Sequence, residues 1–127
     1  MKLWVDDVRP APNGYVWCKS VDDAKKQIEL SEKAVIKAEE LAQRQFSLHN
    51  FSGRNACYRM AKRHEIELID IDHDAGNYAK YGGDYIKLLD WLEETNRNYP
   101  IRIHSMNPVG VANMRVIIER NGWTEVK

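Results

Sequence analysis

The chain has little cysteine and no long apolar run. Cys18 and Cys57 are its only two cysteines, with no Cys-x-x-Cys pair, which excludes a disulfide framework or a zinc ribbon. No stretch approaches the ~20 apolar residues of a membrane span. The opening Met1-Lys2-Leu3-Trp4-Val5-Asp6-Asp7 turns acidic at once and lacks the apolar core of a signal peptide. A soluble, cytoplasmic protein is expected. Surplus charge is absent as well, since 19 basic and 19 acidic residues cancel to a formal net charge of zero. That speaks against a general polyanion binder, whose affinity comes from excess Lys and Arg, so no extended nucleic-acid surface is expected. It leaves room for a small, locally charged site. The 127 residues, 43% of them hydrophobic, suit a single domain over 1–127. Such a domain buries roughly two-thirds of its unfolded surface without a structural metal.

What is present is an alternation of strand and helix signals. Lys2 to Val5 reads as a buried strand ending on Asp6-Asp7, and Pro10, Pro12, Asn13 and Gly14 punctuate the loop after it. Tyr15 to Cys18 reads as a second strand. Ser20 with Asp23 resembles a capping box opening a helix. Helical spacing then runs from Val21 to about Phe46, as one long helix or two abutting ones. A loop is expected at His49–Gly53 and a helix over Arg54–His64. Ile66–Ile71 is the next strand, ending in Asp72-His73-Asp74. A glycine-containing loop over Ala75–Gly83 precedes an amphipathic helix over Tyr85–Thr95. Ile101–Ser105 is a strand, Val111–Arg120 a helix closed by Gly122, and Trp123–Val126 an edge strand. This order predicts an α/β fold, a mostly parallel sheet with helices on both faces.

In such sheets ligands bind at the carboxyl ends of the strands. Three predicted strands carry polar clusters there: Asp6-Asp7, Asp72-His73-Asp74 and His104-Ser105. Crowded carboxylates repel one another unless a cation neutralises them, and oxygen ligands of this kind suit Mg²⁺ or Mn²⁺. Each piece also has a plainer reading. Asp6-Asp7 would cap a loop, Asp72-His73-Asp74 would form a turn, and His104 would be a core histidine. Convergence on one rim favours a site with Asp6, Asp7, Asp72 and Asp74 as metal ligands. Asp70, one alternation before Asp72, reads as a support or a paired buried charge.

The motifs Asp6-Asp7-Val8-Arg9-Pro10-Ala11-Pro12, Asp72-His73-Asp74-Ala75-Gly76 and His104-Ser105-Met106-Asn107-Pro108-Val109-Gly110 resemble the cyclic-phosphate-processing receiver-like family. More broadly, the chain resembles the receiver domain of response regulators. The resemblance covers Met1 to about Lys26 and Glu65 to about Arg120. It implies a receiver-like, flavodoxin-like fold. The final receiver helix is missing, and a helical insertion spans about residues 29–64, after the second strand. It also implies Mg²⁺ on the equivalents of Asp6 and Asp7, phosphoryl acceptance at Asp72, and a hydroxyl contact from Ser105. The receiver Lys-Pro pair is absent. Arg9, His73 and His104 are additions to the receiver pattern.

The enzyme reading is metal-dependent processing, by hydrolysis or transfer, of a cyclic phosphate. The expected substrate is a small phosphorylated ligand or an RNA end, such as a 2′,3′-cyclic phosphate. Arg9, Asn107, Gly110 and Ser105 would bind phosphate oxygens. Imidazole titrates at about pH 6.5, so His73 or His104 would serve in proton transfer. Asp72 would be a ligand or a nucleophile. The alternative is a stand-alone signalling or phospholigand-binding module without turnover. Arg54, Arg59, Lys62 and Arg63 read first as a solvated helix face, with an RNA contact as the second reading.

Overall fold

The apolar segments that flank these motifs become four short strands. The computed structural model describes residues 1–127. Strands β1 (Lys2–Val5), β2 (Tyr15–Cys18), β3 (Leu68–Ile71) and β4 (Ile101–Ile103) form one parallel sheet in the order β2-β1-β3-β4. β1 and β3 are the interior strands; β3 buries every residue, whereas β1 buries alternate ones. The edge strand expected at Trp123–Val126 shrinks to one parallel bridge between Ile101 and Glu125. β4 spans only Ile101–Ile103 and offers it little edge to extend.

Helices α1 (Val21–Ser47), α2 (Phe51–His64), α3 (Ile86–Glu94) and α4 (Pro108–Asn121) complete the α/β receiver-like fold. Ser20 caps α1 by accepting the Asp23 amide at 3.0 Å, as the sequence suggests. The stretch from Val21 is one continuous helix. α2 starts earlier than expected, because Asn50 accepts the Gly53 amide at 3.0 Å and draws Phe51 to Gly53 into the helix. Asn107 caps α4, Pro108 occupies its first turn, and Gly122 closes it at φ +67°. The expected loop after Asp74 contains a short 3₁₀ helix, Gly76–Lys80.

Two departures position everything else. First, helices cover one face of the sheet only. Leu3, Val5, Cys18, Ile69, Ile71 and Ile101 pack with Val21, Ile28, Leu88, Leu92 and Met114 in the core. The alternate residues Lys2, Trp4, Tyr15, Trp17, Asp70 and Arg102 share the other face through the strand register, and none of them joins that core. The expectation of helices on both faces is therefore corrected. A loop, rather than a helix, links β1 to β2.

Second, α1 is far longer than the strands it follows. Its 27 residues span about 40 Å at 1.5 Å per residue, whereas a four-residue strand spans about 13 Å. Ser31 meets Met1 at the amino end of β1, with Oγ 3.2 Å from Sδ. Beyond that point α1 and α2 run on as a hairpin, in which only Ala38, Ala42 and Ala61 are buried. The helical segment expected at about 29–64 is this projection.

Candidate functional site

β1 and β3 end side by side, and each delivers a carboxylate where its hydrogen-bond ladder stops. The Asp6 amide still donates to Cys18 O at 3.2 Å and the Asp72 amide to Val5 O at 2.9 Å. Their side chains thus leave the sheet at one level. Asp6, Asp7 and Asp72 present oxygen atoms all within 4.8 Å of one another. Asp74, expected as a fourth ligand, is not in this group. Its Oδ1 lies 2.8 Å from His73 Nδ1, and its Oδ2 accepts from Asn107 Nδ2 at 3.4 Å.

Asp6 is the buried anchor, 1% exposed. Oδ1 accepts the amides of Val8 and Arg9, both at 2.9 Å, and Oδ2 lies 2.9 Å from His104 Nε2. Burial pushes this carboxyl up, but the Arg9 and Val8 amides and the His104 ring together hold it below the usual carboxylate range. His104 Nδ1 in turn sits 2.6 Å from Asp70 Oδ1. The ring lies flat on Trp4, with centroids 3.9 Å apart and planes 3° from parallel. Both ring nitrogens are engaged by these contacts. His104 therefore bridges two buried carboxylates and has no nitrogen left for a substrate. Arg102 Nη1, 3.6 Å from Asp70 Oδ2, extends the chain of charges.

Arg9 spans the mouth of the cluster. Its Nε is 3.6 Å from Asp6 Oδ2, one terminal nitrogen is 4.0 Å from Asp72 Oδ2, and Nη1 donates to His104 O at 3.2 Å. Asp72 Oδ1 accepts only the His73 amide, at 2.7 Å. Asp7 lies against Gly76, where an added Cβ would overlap Asp7 Oδ2 and where φ is +53°. Below the cluster the Tyr85 hydroxyl donates to Lys19 O at 2.7 Å. Burial and then the charges of Asp7, Asp6 and Asp72 push that phenol far up.

The third motif closes the far side. Ser105 Oγ accepts the Asn107 amide at 3.1 Å, leaving its hydroxyl proton free. The Gly110 amide donates to Asn107 Oδ1 at 3.0 Å, so it is spent on the α4 cap. What Gly110 supplies is space, since a Cβ there would overlap the His73 ring. The sequence reading gave Trp4, Gly76 and Tyr85 no role at the rim, although Gly76 ends the second motif. Trp4 carried one usable signal, its period-two alternation with Asp6 on β1.

A family model for the cyclic-phosphate processing Receiver domain matches residues 1–120. The chain belongs to that family. The match spans all three motifs and both helices of the hairpin. No curated protein and no solved structure matches the chain. No helix of this receiver domain is long and apolar enough to cross a membrane.

Proposed function

We propose that this receiver domain is a metal-dependent enzyme that opens a cyclic phosphate, with the 2′,3′-cyclic phosphate of an RNA end or nucleotide as the preferred substrate class. The carrying observation is the convergence of Asp6, Asp7 and Asp72 beside Arg9 at one rim. The donor set fits a hard divalent cation. It is all carboxylate oxygen, Asp7 makes no hydrogen bond, and Asp72 accepts only one. Asp6, Asp7 and Asp72 would hold a Mg²⁺ or Mn²⁺ ion, which would supply Lewis-acid neutralisation of charge on a phosphoryl group.

The chain's own residues do the rest. Arg9 is half exposed and most of its N–H donors are uncommitted, so it grips a phosphate oxygen. Ser105 donates its free hydroxyl proton to another. In ring opening a water oxygen bonds to phosphorus, one ring P–O bond breaks, and the departing ribose oxygen takes a proton. We assign the proton transfers to His73. Its Nδ1 is committed to Asp74, which leaves Nε2 as the free nitrogen. His104 fixes Asp6 instead, so it acts as a positioning residue.

Phosphorus NMR tests this reading. The protein is given Mg²⁺ or Mn²⁺ with a panel of cyclic phosphates and, separately, with acetyl phosphate. Multiple-turnover ring opening that is lost in Asp72→Asn supports the enzyme. A single stoichiometric phosphoryl signal from acetyl phosphate, with no ring opening, overturns it in favour of a signalling module.

A further inference from the structure

The helix-free face of the sheet and the hairpin below it carry features that the rim chemistry does not use. Trp4, Tyr15 and Trp17 form an aromatic surface there. Trp4 and Tyr15 meet edge to face at 5.8 Å, and Trp17 is 38% exposed. Cations flank these rings, with Lys2 Nζ 5.6 Å from the Tyr15 centroid and Lys19 Nζ 4.5 Å from that of Trp17. This surface is continuous with the rim. Trp4 is stacked on His104, and the Trp17 indole N–H donates to Asp6 O at 2.7 Å.

At the amino end of β1 an open cleft of about 540 Å³ is lined by Met1, Arg59, Lys62, Arg63 and Glu67. Glu67 pairs with the Met1 ammonium at 3.9 Å, and the three α2 cations have no ion pair. Five arginines outside the hairpin, Arg9, Arg97, Arg102, Arg115 and Arg120, face carboxylates, whereas Arg44 on α1 does not. α2 bears Arg54, Arg59, Lys62 and Arg63 and no acidic residue. Arg59 with Lys62 and with Arg63 are like-charge pairs at i,i+3 and i,i+4, which destabilise a helix unless something anionic lies against them. In a chain of zero net charge, α2 is a local surplus of positive charge.

We propose that single-stranded RNA lies along this track. Its terminal phosphate sits at the acidic rim, a base stacks on Trp17, and upstream phosphates enter the Arg59–Lys62–Arg63 cleft. The inference rests on the cyclic-phosphate reading, because a 2′,3′-cyclic phosphate exists only on ribose. Aromatic side chains on a sheet flanked by cations are what unstacked bases and their backbone require.

The test is fluorescence anisotropy of a 5′-labelled ten-nucleotide oligoribonucleotide ending in an unreactive 3′-phosphate, in Mg²⁺ buffer. A Kd of about 10⁻⁴–10⁻⁶ M is expected, the range of sequence-independent binding. Trp17→Ala should weaken it about tenfold, and Trp17→Tyr should restore most of the loss. Combining Arg59→Gln, Lys62→Gln and Arg63→Gln, all at exposed positions, should flatten the log–log salt slope by about 2, for three phosphates at ~0.7 each. Absence of binding overturns the track, as does binding unchanged in both variants. Equal binding of polyglutamate overturns the assignment to RNA. A dimer in solution that Trp17→Ala dissociates gives the face to a second copy instead. Ring opening of 2′,3′-cyclic UMP, which reaches only the rim, separates the two claims. Turnover without oligonucleotide binding sinks the track alone, and binding without turnover sinks the enzyme reading alone.

Discussion

The two faces of one four-stranded sheet do different work with alternate residues of the same strands. Leu3, Val5, Ile69 and Ile71 point to the helices and are fully buried. Trp4, Asp6, Asp70 and Asp72 point the other way or crown the rim, and there burial is achieved by polar pairing. Asp6 and Asp70 are as inaccessible as the leucines, yet no helix covers them. His104 between them, Trp4 beneath its ring and Arg102 beside it provide the cover. An apolar face tolerates loss of contact by degrees. A polar network fails when one member leaves another unpaired.

The largest effect should come from that network. Asp6→Ala strips the acceptor from two amides and from His104, and should cost about 3–5 kcal/mol in urea unfolding. Ile69→Ala, on the apolar face of the neighbouring strand, should cost about 2–5 kcal/mol by leaving a cavity. The comparison breaks if Asp6→Ala proves the milder of the two. Gly110→Ala drives a methyl into the His73 ring and should cost about 1–3 kcal/mol. It should also lower turnover with little change in the binding of product phosphate. A variant with wild-type stability and rate would remove His73 from its assigned role.

The smallest effect is the acid response. Burial raises the Asp6 and Glu32 carboxyls, but hydrogen bonds outweigh it: the Arg9 and Val8 amides and His104 for Asp6, Arg97 and Tyr99 for Glu32. Both therefore titrate lower in the folded chain than in the unfolded one. The stability they contribute is present above about pH 4.5 and is lost as pH falls through their depressed folded values. Thermal melts from pH 7 down to pH 3 should show Tm falling mainly below about pH 4.5. A Tm rising with acidification would contradict the assigned pairings.

Much of this could be read in the residues. The succession of strands along the chain followed from apolar runs ending in Asp6-Asp7, Asp72 and His104, because a polar cluster marks where a buried strand emerges. The convergence of Asp6, Asp7 and Asp72 was legible for the same reason. Which way Asp74 turns was not. It depends on His73 and Asn107 meeting across two loops, and no local pattern encodes that. His104 looked like a free proton carrier because its two carboxylates lie far off in sequence. The bare face was hidden because alternation in β1 and β3 reveals two kinds of side chain, and not which kind a helix will cover. The early start of α2 turned on one Asn50 side-chain bond, in a stretch whose composition suits a loop.

The central claim is that the rim, rather than any other acidic surface, holds a divalent cation. Mn²⁺ binding followed by electron paramagnetic resonance tests it most directly, comparing the unmodified chain with Asp7→Asn, Asp72→Asn and an Arg63→Gln control. Roughly one Mn²⁺ per chain is expected, lost or weakened at least tenfold in both aspartate variants and unchanged in the control. Mn²⁺ binding that survives both aspartate substitutions, or no binding by the unmodified chain, would contradict it.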